Sequence, residues 1–136
     1  MNVGAAGASA ERVLCGGETV MLELSDHEVD SETHVLELGG EIDLYTAPEF
    51  KARMDAVIDD GKTRLVVDLS KLTYIDSITL GVLVGGVKRV RPVGGSLALV
   101  CTDGNVIASF RVSGLERAFP IYATREEALA AVAEGG

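Results

Sequence analysis

The sequence predicts an α/β fold built around one largely parallel sheet. Two short apolar segments, near residues 20–24 and 35–38, are joined by a polar, acidic turn, which is typical of an antiparallel hairpin. After this hairpin the segments alternate as α, β, α, β, α, β, α with short connections. Such alternation is typical of parallel strands joined by right-handed crossovers. The length of 136 residues suits one domain, and 47% hydrophobic residues without any Trp predict an aliphatic core.

The N-terminal segment differs from the rest in composition. Residues 1–17 are rich in Gly, Ala and Ser and carry no periodic pattern, so we expect a flexible tail before a single domain over residues 18–133. The first residues lack the basic start and the apolar centre of a signal peptide. No window approaches the about 18 apolar residues of a membrane helix, so none is predicted and a cytoplasmic location is expected.

Charge and composition argue against several functions. The net charge is −9, with 14 acidic and three basic side chains in residues 1–60, and such a chain is not expected to bind nucleic acid. The acidic half would suit a protein partner with a basic surface, although solubility alone would also account for it. Cys15 and Cys101 form no CxxC pair and are expected to be reduced thiols. His27 and His34 are expected at the surface, and neither a metal site nor a nucleotide motif is predicted.

In chain order, the first helix has signals at both ends. Thr46 and Glu49 have the spacing of a capping box, and Pro48 lies in the first turn, where its missing N–H is harmless. Gly61 is expected to end the helix in a left-handed conformation. The apolar stripe between these ends consists of Phe50, Met54, Val57 and Ile58.

The next strand and the C-terminal half complete the pattern. Leu65-Val66-Val67 is apolar at consecutive positions, as expected for a strand covered on both faces. The remaining predicted elements are a buried strand at Leu97–Val100, a short helix capped by Asp103 or Thr102, a short strand at Phe119–Tyr122, and a terminal helix that begins with a second capping box, Thr124 and Glu127.

The segment at residues 75–90 is the first candidate for a functional site. After Ile75 the period of the apolar residues becomes helical. Asp76 is a natural N-cap, because its carboxylate can accept from the unpaired N–H groups of the first turn. Ser77 then lies where the helix dipole favours negative charge, so it could carry a phosphate. The apolar stripe of this helix is Leu80, Leu83, Val84, Val87 and Val90.

Three interpretations of this acid–serine pair compete. The first, which the spacing alone favours, is an ordinary cap followed by a solvated serine. The second, a nucleophilic serine, fails because the hydrolase elbow needs glycines two residues on either side, where Ile75 and Thr79 stand. The third is a regulatory phosphorylation site.

Three glycines inside the same helix support the third interpretation. Each of them costs about 1 kcal/mol relative to Ala in a helix interior. A helix that keeps three is expected to need close backbone approach, either to its own sheet or to a partner that docks near Ser77. The glycines are Gly81, Gly85 and Gly86.

Five segments occur in a specific order and spacing: Gly40-Glu41-Ile42-Asp43 with Ala47-Pro48, Val67-Asp68-Leu69-Ser70, Tyr74-Ile75-Asp76-Ser77, Leu80-Gly81-Val82-Leu83, and Gly94-Gly95-Ser96-Leu97. Together they resemble the STAS domain, and more narrowly the bacterial anti-sigma factor antagonists of the actinobacterial type. The similarity covers about residue 20 to residue 133. It implies a STAS-type βα superhelix with a mixed sheet of about five strands and about four helices.

The resemblance also implies a function in transcription regulation by partner switching, without catalysis and without a cofactor. In that family the serine after the aspartate is phosphorylated by an anti-sigma factor that is also a serine kinase. The unphosphorylated form binds that kinase and frees the sigma factor, and a serine phosphatase resets the system. The matching acceptor here is Ser77. The expected partner-binding residues are Asp43, Tyr45, Thr46, Asp76, Ser77, Ile78, Thr79 and Gly81.

The chain departs from the family pattern directly after the acceptor. Family members commonly have two small residues there, whereas this chain has Ile78 and Thr79. A bulky Ile78 is expected to alter the choice of partner, and the Thr79 hydroxyl makes that residue the alternative acceptor. An alternative function stays open as well, namely a STAS module that is not phosphorylated and binds its partner constitutively as a scaffold or assembly subunit.

Overall fold

The structure, a computed structural model, describes residues 9–14, 21–42 and 46–133. Its strands within these ranges are β1 (Ser9–Leu14), β2 (Met21–Glu28), β3 (Thr33–Glu41), β4 (Arg64–Tyr74), β5 (Ser96–Val100) and β6 (Ile121–Tyr122). They form one sheet in which the spatial order is the order of the chain. β1, β2 and β3 pair antiparallel, whereas β3, β4, β5 and β6 pair parallel. The predicted hairpin and the mixed sheet are therefore confirmed.

Helices connect the parallel strands and close the fold. The helices of the described residues are α1 (Ala47–Asp59), α2 (Ser77–Val90), α3 (Gly104–Ser113) and α4 (Arg125–Ala133). Short 3-10 turns follow α2 and α3, at Arg91–Val93 and Leu115–Arg117. The predicted alternation of helices and strands after the hairpin is confirmed, and the five predicted strands correspond to β2 through β6.

The predicted N-terminal tail is wrong at residues 9–14, which form β1. This strand lies along β2 with Ser9 opposite Asp26 and Leu14 opposite Met21. An edge strand can be held by backbone hydrogen bonds to its neighbour, and these leave no alternation of apolar and polar residues in the sequence. The remaining residues of the predicted tail, 1–8 and 15–17, lie outside the described residues.

The sheet is covered on both faces, as the residues of β4 illustrate. Leu65 and Val67 belong to the main core, which lies between the sheet and α1, α2 and α3. Val66, between them, points to the other face and packs with the apolar residues that contact α4. The prediction of a strand covered on both faces is thus confirmed. The second cluster consists of Val35, Val66, Ala98, Val100, Ala128 and Val132.

The sequence predicts the C-terminal end of α1 correctly but not its N-terminal end. Gly61 follows the helix with φ +97°, so the predicted left-handed end is confirmed. The predicted capping box at the start is wrong. Thr46 has helical backbone angles (φ −104°, ψ −19°) and its side chain makes no cap bond; instead its backbone oxygen accepts from the Glu49 N–H at 3.1 Å. Thr46 is fully buried, so burial rather than capping decides its conformation.

The prediction of surface histidines is wrong for His34, which is only 9% exposed. In β3 it alternates with Val35 and therefore faces the same side of the sheet as Leu36, toward α1. Its Nε2 lies 2.8 Å from Oδ1 of Asp26, and Arg53 of α1 binds the other oxygen of that carboxylate. The pairing satisfies a carboxylate that is only 8% exposed and ties β2, β3 and α1 together.

Candidate functional site

The site lies where β4 ends and α2 begins. Ile75 is buried and anchors the connection in the core. Asp76 has extended backbone angles (φ −110°, ψ 176°), and its Oδ1 accepts from the Thr79 N–H at 3.0 Å. The predicted N-cap is therefore confirmed. Ser77 is the first residue of α2, as the sequence predicts, and lies at the positive end of the helix dipole.

The two candidate acceptor hydroxyls have opposite environments. Ser77 is exposed, and among the described residues its hydroxyl has no hydrogen-bond partner. Thr79 is 0% exposed, and its hydroxyl donates to Oδ1 of Asp76 at 3.0 Å. An external group can therefore reach the Ser77 hydroxyl in this conformation, whereas Thr79 would first have to leave the core.

The glycines of α2 divide into two exposed and one crowded. Gly81 and Gly85 are exposed, and a Cβ added at either would meet no atom within 4 Å. Gly86 is buried, and a Cβ there would lie 2.9 Å from Sδ of Met54 and 3.2 Å from Cδ1 of Leu97. The expectation of close backbone approach is thus met within the fold at Gly86 alone. At Gly81 and Gly85, one and two turns after Ser77, the helix backbone is instead open to solvent.

An apolar groove runs beside Ser77, between the start of α2 and α3. Its volume is about 360 Å³. Val112 of α3 is 89% exposed on its rim, and Ile78 of α2, next to Ser77, is 50% exposed. The residues that line it are Ile75, Asp76, Ser77, Leu80, Asn105, Ala108, Ser109, Val112 and Ser113.

The α3 wall of this groove was not predicted from the sequence. A signal was present, because Val112 lies off the apolar stripe of its helix, formed by Val106, Ile107 and Phe110. An apolar residue outside the core stripe of a helix is a candidate for a contact with a partner, although single exposed apolar residues are common.

The other predicted contact residues are only partly within the described chain. Asp43 and Tyr45 lie outside the described residues. Ile42, the described residue that precedes them, lies beside the site, because its N–H donates to the Tyr74 carbonyl at 3.2 Å. Parallel strands end at the same edge, so the connection after β3 starts next to the one after β4. Thr46, in contrast, is fully buried, so its side chain is not available at the surface.

Asp68, from the second family-like segment, has a structural environment. Burial raises the pKa of its carboxyl, but hydrogen bonds from Ser70 and Arg125 outweigh this and hold the pKa below its usual value. Ser70 donates from its backbone N–H at 2.9 Å and its hydroxyl at 2.6 Å, and Arg125 donates to the other oxygen at 2.8 and 3.0 Å. Arg125 is the first residue of α4, so this ion pair fastens α4 to the sheet.

Three observations on the described residues bear on the chemistry of this site. No described side chain is hydrogen-bonded to the Ser77 hydroxyl in the way a general base would be. Within the same ranges, no group of three or more His, Cys, Asp or Glu side chains could hold a metal ion. Burial raises the pKa of the Cys101 thiol, which disfavours the reactive thiolate. Within the ranges that the structure describes, the helices are too short or too polar to span a bilayer.

The fold and the site together define an α/β domain with a capped helix N-terminus, an exposed serine and an apolar groove at one edge of a mixed sheet. Residues 25–128 match the family model of the STAS domain, and the chain belongs to that family.

Two curated relatives cover most of the chain. The anti-sigma-B factor antagonist of Bacillus subtilis is 32% identical over 107 residues, which are 79% of this chain and 94% of the relative. The anti-sigma-F factor antagonist RsfB of Mycobacterium tuberculosis is 30% identical over 120 residues, 87% of this chain and 93% of RsfB.

Solved structures show the same architecture. The anti-sigma factor antagonist SpoIIAA in its unphosphorylated form has a TM-score of 0.72 and 27% identity, over 82% of this chain and 96% of SpoIIAA. The Bacillus SpoIIAA in its phosphorylated form has a TM-score of 0.64 and 25% identity, over 80% of this chain and 98% of that one.

Proposed function

We propose that this chain is an anti-sigma factor antagonist. Its unphosphorylated form binds an anti-sigma factor that is also a serine kinase, and the sigma factor is thereby released. Phosphorylation of Ser77 ends the binding, and a serine phosphatase restores it. The observation that carries the proposal is the exposed Ser77 hydroxyl at the start of α2, in a chain similar to anti-sigma factor antagonists over most of its length. The relatives are regulators rather than enzymes, and we assign no catalytic residue to this chain.

Burial supports Ser77 over Thr79 as the acceptor. A kinase must bring the γ-phosphate of ATP into line with the attacking oxygen, so that oxygen has to be reachable from solvent. Ser77 meets this condition because it is exposed. Thr79 is 0% exposed, and its hydroxyl donates a hydrogen bond to Asp76.

The surface for the kinase is proposed to lie around Ser77. Ile78 offers an apolar contact at 50% exposure, and Gly81 leaves room for close approach to the helix backbone. The groove between α2 and α3 offers further apolar walls at Leu80 and Val112. The predicted contacts of Asp43 and Tyr45 belong to this proposal too, because Ile42, which precedes them in the chain, is hydrogen-bonded to Tyr74 beside the site.

Phosphorylation is proposed to act locally. A phosphate brings about −1.5 to −2 charges to Ser77, and the N-terminus of a helix accommodates such charge, so the fold is expected to survive. A partner docked against the same surface would have to desolvate this dianion next to the Asp76 carboxylate and the apolar walls of the groove. Like charges and unpaired ions at an interface cost several kcal/mol, so binding is expected to weaken roughly 100-fold or more.

The test uses the anti-sigma factor kinases encoded in the same genome. Each is purified and incubated with this protein and ATP, and the phosphorylated residue is located by mass spectrometry. Binding without nucleotide turnover is measured by calorimetry. We expect phosphate at position 77, loss of phosphate incorporation in Ser77→Ala with binding retained, and weak binding by a correctly folded Ser77→Asp.

The matched control is Ser113→Ala, which removes a second exposed hydroxyl from the opposite wall of the same groove. This variant should still accept phosphate at position 77. Phosphate on any other residue of wild-type protein, or a kinase that binds the phosphorylated and unphosphorylated forms equally well, would contradict the proposed switch. In the latter case constitutive binding as a scaffold would be the better description.

A further inference from the structure

Thr79 makes two hydrogen bonds to a single oxygen atom. Its backbone N–H and its hydroxyl both donate to Oδ1 of Asp76, each at 3.0 Å. The first is the ordinary N-cap bond, which any non-proline residue at position 79 would make. The second requires a hydroxyl at that position. Thr79 is 0% exposed, so water does not reach its hydroxyl, which donates to a carboxylate that is itself half-buried.

Ser77 lies inside the turn that these bonds close. The carbonyl oxygen of Asp76 also accepts from the Leu80 N–H at 3.2 Å. The first turn of α2 is therefore fastened three times to Asp76, twice through the carboxylate and once through the backbone. Ser77 is thus held through the backbone on both sides while its hydroxyl remains exposed.

We propose that Thr79 is a positioning residue for Ser77. Its buried hydroxyl holds the Asp76 carboxylate against the first turn of α2. A phosphate on Ser77 therefore meets the N–H groups of an ordered first turn rather than a freely rotating Asp76 carboxylate. The inference rests on the proposed function only in taking Ser77 as the acceptor. It gives the second hydroxyl of this site a role other than that of an alternative acceptor.

The competing explanation is that Thr79 only fills space in the core. Two variants separate the explanations. Thr79→Val keeps the volume and removes the donor, whereas Thr79→Ser keeps the donor and removes a methyl group. A packing role predicts that Ser is the more harmful change, and a positioning role predicts that Val is.

The experiment needs no kinase. Phosphoserine is incorporated at position 77 during translation, in the wild-type sequence and in the Thr79→Val and Thr79→Ser backgrounds. Phosphorus NMR against pH then gives the pKa of the second ionisation of the phosphate, which is about 6 in an unstructured chain. Hydrogen exchange of the amides at residues 79 and 80 is measured in parallel, with Val90 at the far end of α2 as the internal reference.

In Thr79→Val the Asp76 carboxylate keeps only the backbone N-cap bond, so the first turn is held more loosely and offers fewer oriented N–H groups, and the less restrained carboxylate repels the dianion. Both effects disfavour the dianion, so its pKa should rise, by about 0.3 or more. The amides at 79 and 80 should exchange about 10-fold faster with Val90 unchanged. Thr79→Ser should match the wild type in both measurements.

Several results would overturn the positioning role. One is a Thr79→Val protein with the wild-type phosphate pKa, whatever its melting temperature, because only packing would then have been lost. Another is a Thr79→Ser protein that behaves like Thr79→Val, because the hydroxyl would then not be responsible. If the pKa follows the proposal but the phosphorylated chain still binds its kinase, the proposed switch fails while the positioning role stands.

Discussion

Gly95, at the entry to β5, allows the sharpest test of the fold. Its N–H donates to the Val90 carbonyl at 2.8 Å, and the next residue, Ser96, donates to the Thr63 carbonyl at 2.9 Å. A Cβ at position 95 would lie 2.1 Å from the Thr63 oxygen and 2.9 Å from the Val90 oxygen. Both atoms belong to the backbone, so neither can turn away as the end of a side chain could.

The cost of Gly95→Ala follows from this geometry. Favourable contacts between non-bonded heavy atoms lie at about 3.5 Å, so the two segments would have to separate by more than about 1 Å. That displacement breaks the Ser96–Thr63 hydrogen bond, worth about 0.5–1.5 kcal/mol. It also strains a packed core, for which inserted atoms cost about 1–3 kcal/mol. We therefore expect Gly95→Ala to lower the free energy of unfolding by about 2–4 kcal/mol.

The assay is urea unfolding followed by circular dichroism, with Gly94→Ala as the matched control. Gly94 has φ +82° and no atom within 4 Å of a Cβ, so alanine there pays only for the left-handed conformation, about 1–2 kcal/mol. A free energy of unfolding of Gly95→Ala within about 0.5 kcal/mol of the wild-type value would refute this reasoning, because this difference is well below the cost expected for such a clash. The close approach would then be absent from the protein in solution. A Gly94→Ala variant that is less stable than Gly95→Ala would show that backbone strain, not contact, dominates this turn.

Two further predictions concern stability. Gly85→Ala should raise the free energy of unfolding by up to about 1 kcal/mol through helix propensity, because the added Cβ meets no other atom. Gly86→Ala should show no such gain, because its Cβ would meet Met54. Equal gains for the two variants in urea unfolding would contradict this prediction. Asp68 has a lowered pKa in the folded chain, so its stabilising effect is present above its ordinary pKa of 3.8 and is lost as pH falls through the folded value. Asp68→Asn should therefore be less stable than wild type at pH 6, with a difference that shrinks below pH 3.8, and a difference independent of pH would refute the assignment.

The sequence by itself determined the elements and their local ends. The alternation after the hairpin, the N-cap at Asp76, the left-handed end at Gly61 and the doubly covered strand at Leu65–Val67 are all confirmed. Each depends on residues within one or two turns of each other, where backbone sterics, helix ends and side-chain periodicity act without reference to the rest of the fold. The position of Ser77 in the first turn of α2 follows from the same local rules.

Only the tertiary structure decided which of these local features are exposed, crowded or paired. It buried Thr79 and Thr46, left Ser77 and Gly81 open, and placed Gly86 against Met54 of another helix. It also brought α3 beside Ser77 to form the groove and paired β1 with β2. The physical reason is that burial and crowding arise from contacts between residues distant in sequence, and edge pairing uses backbone groups that every residue carries, so neither leaves a local pattern to be recognised.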